Sequence, residues 1–221
     1  MLKVKRGQAG FTLVEIAIVL VVVGLLLGGV LKGQSLIQGA KVSNTVKQMQ
    51  GLQTMVFTFQ DRFGGLPGDM SNASTVIGNG AVDCTWQCNN GRIQPYRNAS
   101  LAFNQLKAAG IYSGNAPSAE VNAAPDVTNA PANAWGGAFM IANWNRYANV
   151  GGAAPSRDGI WTGRNVPSSV LAEIDRKIDD GSPMTGDFRA GWPYQNSAAC
   201  LDTTNNVWKT DGTTCAGVMF F

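Results

Sequence analysis

The residues able to do chemistry are few, and one stands out by position. Glu15 is the only charged residue between Phe11 and Leu31, in "GFTLVEIAIVLVVVGLLLGGVL". A carboxylate inside hydrocarbon costs about 2.5–3.5 kcal/mol on insertion scales, so a position of this kind asks for a partner. The other candidates are four cysteines (Cys84, Cys88, Cys200 and Cys215) and the acidic run "IDRKIDDGSPMTGDF", which holds Asp175, Asp179, Asp180 and Asp187. The chain has no histidine. It therefore lacks the commonest general base and the commonest metal ligand, which disfavours serine hydrolases, zinc sites and most phosphotransfer relays. A carboxylate-only enzyme passes this filter, though weakly.

The element that carries Glu15 is a helix with the length of a membrane span. The 21 residues from Phe11 to Leu31 cover roughly 30 Å as an α-helix, the thickness of a bilayer core. Lys3, Lys5 and Arg6 precede it without any acidic residue. They account for the net charge of +3, and the rest of the chain is balanced. By the positive-inside rule they stay cytoplasmic, which places the bulk of the chain outside. A neutral remainder gives no nucleic-acid footprint, which needs a basic patch or stripe. A cleaved secretory signal fits poorly, because the apolar core is long and no A-x-A site follows it. A plain single-pass anchor leaves Glu15 unexplained.

A Gly followed by a Phe, with a Glu four residues further on, resembles the prepilin peptidase motif of type IV pilins and type II secretion pseudopilins. The matching residues are Gly10, Phe11, Thr12, Leu13, Val14 and Glu15, behind a short basic leader and ahead of a long apolar helix. The resemblance implies cleavage between Gly10 and Phe11 by a membrane prepilin peptidase, which is also the methyltransferase that would methylate the new amine of Phe11. It implies an inner-membrane, single-pass protein with its head outside the cytoplasm, assembling with other pilin or pseudopilin subunits into a pilus or pseudopilus through its N-terminal helix. Glu15 then gains a role: its carboxylate would pair with the positive N-terminus of a neighbouring subunit and align the two helices. A snorkelling carboxylate without a partner is the plainer alternative. Gly24 with Gly28, and Gly29 with Gly33, have the spacing that lets helices approach closely.

Beyond the span, Val42, Val46, Met49, Leu52, Val56, Phe59 and Phe63 recur at spacings of 4, 3, 3, 4, 3 and 4. That is one apolar stripe of an α-helix. Gly64, Gly65 and Pro67 end it. Continuous helix from Phe11 to Phe63 would be roughly 80 Å long. The expected organisation is a leader (1–10), a transmembrane and assembly helix (11–31), the amphipathic half of the same helix (32–63) and a globular head (64–221). The fold class expected is α+β, a long N-terminal helix packed on an antiparallel sheet, which is also what the resemblance implies.

Within the head, "LPGD" predicts a turn with Asp69 as a turn former. Similar segments follow the long helix in many prepilin-like proteins. "SLAFNQLKAAG" predicts a helix from a Ser100 cap to a Gly110 stop. "SAEVNAAPDVTNAPANA" reads as a surface loop, "AWGGAFMIANW" as a strand, and "PSSVLAEIDRKIDDG" as a helix with Val170, Leu171, Ile174 and Ile178 on its face. Two short strands are expected near 207–209 and 218–221.

Four cysteines allow three pairings in an oxidising compartment. The local choice joins Cys84 to Cys88 and Cys200 to Cys215. The second bond would clip a C-terminal loop, as in the disulfide-bounded loop of many type IV pilins. Free thiols, or four cysteines on a metal without a CxxC pair, are the alternatives. No cofactor is expected. Asp179, Asp180 and Asp187 are weak calcium candidates, since clustered carboxylates supply oxygen ligands, but the spacing does not match an EF-hand loop and equally reads as a helix end and turn. Trp135, Phe139, Trp144 and Trp161 could line a groove and read more simply as head core.

Three functions compete: a pilus subunit, possibly a minor one; a secretion pseudopilin; and a membrane-tethered binding or carbohydrate-active domain using paired Asp residues.

Overall fold

A computed structural model describes residues 12–150, 154–191, 199–212 and 214–221. Gly10 and Phe11, the expected cleavage and methylation positions, lie outside the described residues. The chain divides into two compact units, Met1–Lys41 and Val42–Phe221.

Within the first unit the described backbone is the N-terminal part of α1 (Leu13–Phe63). Its large apolar side chains from Leu13 to Leu31 are exposed in the single chain, between 44% and 91%. By length and composition this is a helix able to cross a membrane.

The second unit begins at Val42, and here the same helix has two different sides. Val42, Met49, Leu52, Val56 and Phe59 are buried, and Val46 and Phe63 are partly buried against the same core. Thr45 is also fully buried on this face, a position the apolar stripe does not contain. Each fully buried aliphatic or aromatic side chain contributes about 1.5–3 kcal/mol of transfer free energy. The helix closes at Gly64, whose φ of 69° an L side chain resists.

Four strands face that stripe: β1 (Met140–Trp144), β2 (Arg157–Trp161), β3 (Phe188–Ala190) and β6 (Gly217–Phe220). Their order is β1-β2-β6-β3, and all the pairings are antiparallel. The period-2 alternation sorts the sheet into two faces. Ile141, Ile160, Phe188 and Met219 join the core under α1. Met140, Ala142, Trp161, Val218 and Phe220 form a second cluster on the other face, with Tyr147. The architecture is thus α+β, a long N-terminal helix with an antiparallel four-stranded sheet.

Both sheet edges are covered, which blunts their capacity to template further strands. On β1, Asn143 N donates to Ile93 O at 2.7 Å, and just before it Phe139 N donates to Pro131 O at 2.8 Å. On β3, Ala190 N donates to Pro183 O at 2.9 Å and Ala190 O accepts from Ala148 N at 2.8 Å.

The helices α2 (Ala73–Val76), α3 (Arg97–Ala108) and α4 (Ser168–Ile178) complete the head, with the two-stranded ribbon β4 (Leu201–Asp202) and β5 (Val207–Trp208). Two expectations need correction. The helix read from Ser100 starts at Arg97, so Ser100 is not its cap. It lies inside, fully buried, and its Oγ donates to Arg97 O and Val121 O. A hydroxyl that bonds backward along a helix resembles a cap in sequence, and only the preceding turn tells them apart. The strand read over "AWGGAFMIANW" narrows to Met140–Trp144, because the Gly pair sits in the turn that lets Ala132 bridge Ala138. Strands β2, β3 and β4 were not expected; they are short, and β3 spans only three residues.

Candidate functional site

The N-terminal candidate is built by three hydrogen bonds. Thr12 N and Thr12 Oγ both donate to Glu15 Oε2, at 3.0 and 2.9 Å, and Glu15 N donates to Thr12 Oγ at 3.2 Å. This is a capping box, with Thr12 as the cap and Glu15 in the first turn of α1. It satisfies two of the amides that a helix start leaves free. It also fixes the carboxylate at the positive end of the helix dipole, where an anion is stabilised. Glu15 Oε1 accepts no bond among the described residues. The T-x-x-E spacing was legible in the sequence; the reading that assigned Glu15 to a partner did not use it.

Further along, a Cβ added to Gly24, Gly28, Gly29 or Gly33 would meet nothing within 4 Å. Nothing in the single chain therefore requires glycine at these positions.

In the head, the cysteines form two disulfides, Cys84–Cys88 and Cys200–Cys215. The second closes a loop that contains β4 and β5. Asp69 does more than form a turn. It is buried, and its carboxylate accepts from Asn90 N at 3.3 Å and Gly91 N at 2.8 Å, which fastens the turn after α1 to the loop following Cys88. The preceding Gly68, at φ 85°, lies so close to α3 that a Cβ would sit 2.2 Å from Asn98 O.

The acidic run folds into the end of α4. One carboxylate oxygen from each of Asp175, Asp179 and Asp180 lies within 4.8 Å of the others. Each also has partners within the chain. Asp175 is fully buried and accepts from Trp208 Nε1 at 2.7 Å and Gly181 N at 3.0 Å. Burial pushes its pKa up to about 6, against the two hydrogen bonds, and the neighbouring Asp180 and Asp179 charges add to the rise. Asp179 Oδ2 accepts from the amides of Asp187 and Phe188, so it closes the outer edge at the start of β3. Asp180 accepts from Ser182 N at 2.8 Å and Thr185 Oγ1 at 2.5 Å, and its pKa is lowered, chiefly by the Thr185 bond. Asp187 turns to Arg157, at 2.9 Å. Asp175, which is not among the calcium candidates read from the sequence, is thus one of the three clustered carboxylates, and no local pattern marked it.

The aromatic candidates do not gather in one groove. Phe139 and Trp161 are buried on opposite faces of the sheet, while Trp135 and Trp144 are partly buried. A cavity of about 330 Å³ lies among the loops at 124–127, 136–138 and 163–165, and of the four aromatics only Trp161 lines it.

Residues 5–31 match the family model of the prokaryotic N-terminal methylation motif. No curated protein and no solved structure matches the chain. The match covers Lys5 and Arg6, the expected cleavage position, the Thr12–Glu15 capping box and the apolar part of α1. The chain carries the prepilin-type cleavage and methylation signature, and that motif supports a structural protein of the type IV pilin or pseudopilin class.

Proposed function

We propose that the chain is a structural subunit of a type IV pilus-like filament. It enters the inner membrane through residues 11–31 with the head outside the cytoplasm. Prepilin peptidase cuts between Gly10 and Phe11 and methylates Phe11, and the subunit joins others through its N-terminal helix. The observation that carries the reading is the methylation motif at 5–31, placed on a helix whose apolar side chains stay exposed in the single chain. An apolar surface of that extent needs lipid or other helices around it.

Glu15 supplies register. Its Oε2 is held by Thr12, and its Oε1 is left to receive the amine of a neighbouring subunit's first residue. Burying this carboxylate without a cation is costly, so assembly favours the stagger that brings one to it. In the head, we read the carboxylates of Asp179, Asp180 and Asp187 as closing α4 and the sheet edge. Calcium is not needed for that role.

The mass of the N-terminal peptide from membranes or sheared filaments tests the proposal. A peptide that begins at Phe11 and carries one added methyl group is the expected result. An intact Met1 in cells with a working peptidase would overturn it and bring forward the tethered-domain reading. A secretion pseudopilin shares these membrane steps. The Cys200–Cys215 loop favours the pilus by resemblance, and deletion decides: the pilus reading expects loss of surface filaments with secretion intact.

A further inference from the structure

The chain contains two Asn-Gly pairs, Asn79-Gly80 and Asn90-Gly91. Asn followed by Gly is the dipeptide most open to intramolecular attack, because the glycine nitrogen meets no Cβ as it approaches the side-chain amide. All four residues are exposed. Their hydrogen bonding is not alike.

Gly91 N donates to Asp69 Oδ2 at 2.8 Å, so the nitrogen that would attack is already held by a buried carboxylate. The Asn90 side chain is held too. Its Oδ1 accepts from Arg92 N at 3.0 Å, and its Nδ2 donates to Gln87 O at 2.8 Å. A neighbouring carboxylate also opposes loss of the amide proton, which attack requires.

Asn79 and Gly80 are the central residues of a turn closed by Ala81 N donating to Gly78 O at 2.9 Å, with φ of 50° and 79°. Among the described residues Gly80 N has no acceptor. The Asn79 side chain has one long contact, Nδ2 to Ala108 O at 3.4 Å. A Cβ on Gly80 would meet nothing within 4 Å, so the space around the pair is open.

We propose that Asn79 is a site of spontaneous deamidation in the folded head and that Asp69 protects Asn90 from the same reaction. In the step, the deprotonated Gly80 nitrogen forms a bond to Asn79 Cγ. The Cγ–Nδ2 bond breaks, and Nδ2 leaves as ammonia after taking up a proton. Water then opens the cyclic imide at either carbonyl and gives aspartate or isoaspartate. No oxidant or enzyme is needed. The product replaces a donor facing Ala108 O with a carboxylate, at the C-terminal end of α3 where an anion is disfavoured. The turn at 78–81 thereby loses one of its ties to α3, and the head gains a negative charge.

The test is incubation of the full chain in detergent at mildly alkaline pH, followed by peptide mapping that separates asparagine, aspartate and isoaspartate at both positions. Asn79 is expected to react about tenfold faster than Asn90 or more, because reaction at Asn90 must wait for local opening. In concentrated urea the two rates should converge, and Asp69→Asn should raise the Asn90 rate in the folded protein. Equal rates in the folded protein, a faster Asn90, or an unreactive Asn79 that reacts only in urea would each overturn the proposal. Because the urea measurement needs no variant, the test stands even if Asp69→Asn does not fold.

Discussion

The two parts of α1 are one helix by backbone and two materials by side chain. From Leu13 to Leu31 it is, Glu15 apart, apolar all round and exposed all round. From Val42 to Phe63 it buries one stripe under a sheet and leaves polar residues such as Gln50 outside. A uniform apolar surface specifies no direction, so its partners must also surround it, as lipid or packed helices do. A stripe specifies a direction, and the sheet occupies it. Within one helix, then, the hydrophobic period separates the part left exposed in the single chain from the part buried in its own core.

The sharpest way to break this contrast is paired truncation. Phe59→Ala, in the buried part, should cost the head about 3–5 kcal/mol in a denaturant titration. Leu25→Ala should leave the head midpoint where it was, because that side chain is exposed in the single chain. Equal effects would mean that the two parts are not distinct.

Function should split the other way. Glu15→Ala is expected to insert and be cleaved normally but to fail in filament incorporation, with head stability unchanged. Incorporation at the parental level would sink the register role.

Inside the head, Cys200→Ser together with Cys215→Ser should cost about 3 kcal/mol, the loop entropy of a bond spanning 15 residues. The Cys84–Cys88 bond spans only 4, and its removal should cost less. Thermal unfolding of the two double variants checks the order.

Asp175 gives the head a pH dependence. Its pKa is raised to about 6, so between pH about 4 and 6 the folded chain holds a proton that the unfolded chain has released. Stability should therefore fall as pH rises through that window, by an amount on the order of 3 kcal/mol. Above the window the loss is complete and the curve is flat with respect to this group. Asp158, whose pKa burial also raises, acts in the same sense, so the comparison to make is between urea midpoints of the parent and of Asp175→Asn across the window. Asn would remove Asp175's share of the slope, leaving that of Asp158, and would leave one of the two donors, Trp208 Nε1 or Gly181 N, without its acceptor. An unchanged slope in the variant would rule Asp175 out as its source.

The smallest effect should be Thr12→Ala. Loss of the capping box costs about 1 kcal/mol, local to the first turn, and should appear as faster amide exchange at the start of α1 with the head unaffected.

Much of this was readable along the chain, for reasons that differ by residue. The stripe from Val42 to Phe63 repeats over enough turns that its period is unambiguous. Gly110 and Gly181 mark helix ends because both adopt positive φ there. The three-residue β3 carries too short a pattern to be seen, and it exists because Asp179, Pro183 and Ala148 satisfy its outer edge. Asp175 was invisible as a buried group because in sequence it is one carboxylate of a polar helix end. Its burial depends on Trp208, 33 residues away.

By itself the sequence determined the local and the periodic: the methylation signature, the apolar span, the capping box, the long helix and the places where helices stop. These depend on neighbours within one or two turns, where spacing fixes geometry. Only the tertiary structure decided which carboxylates are buried, how the sheet edges close, and which of two identical Asn-Gly pairs is held by Asp69. Those outcomes rest on contacts between distant segments, and a hydrogen bond to a residue far along the chain leaves no trace in either local pattern.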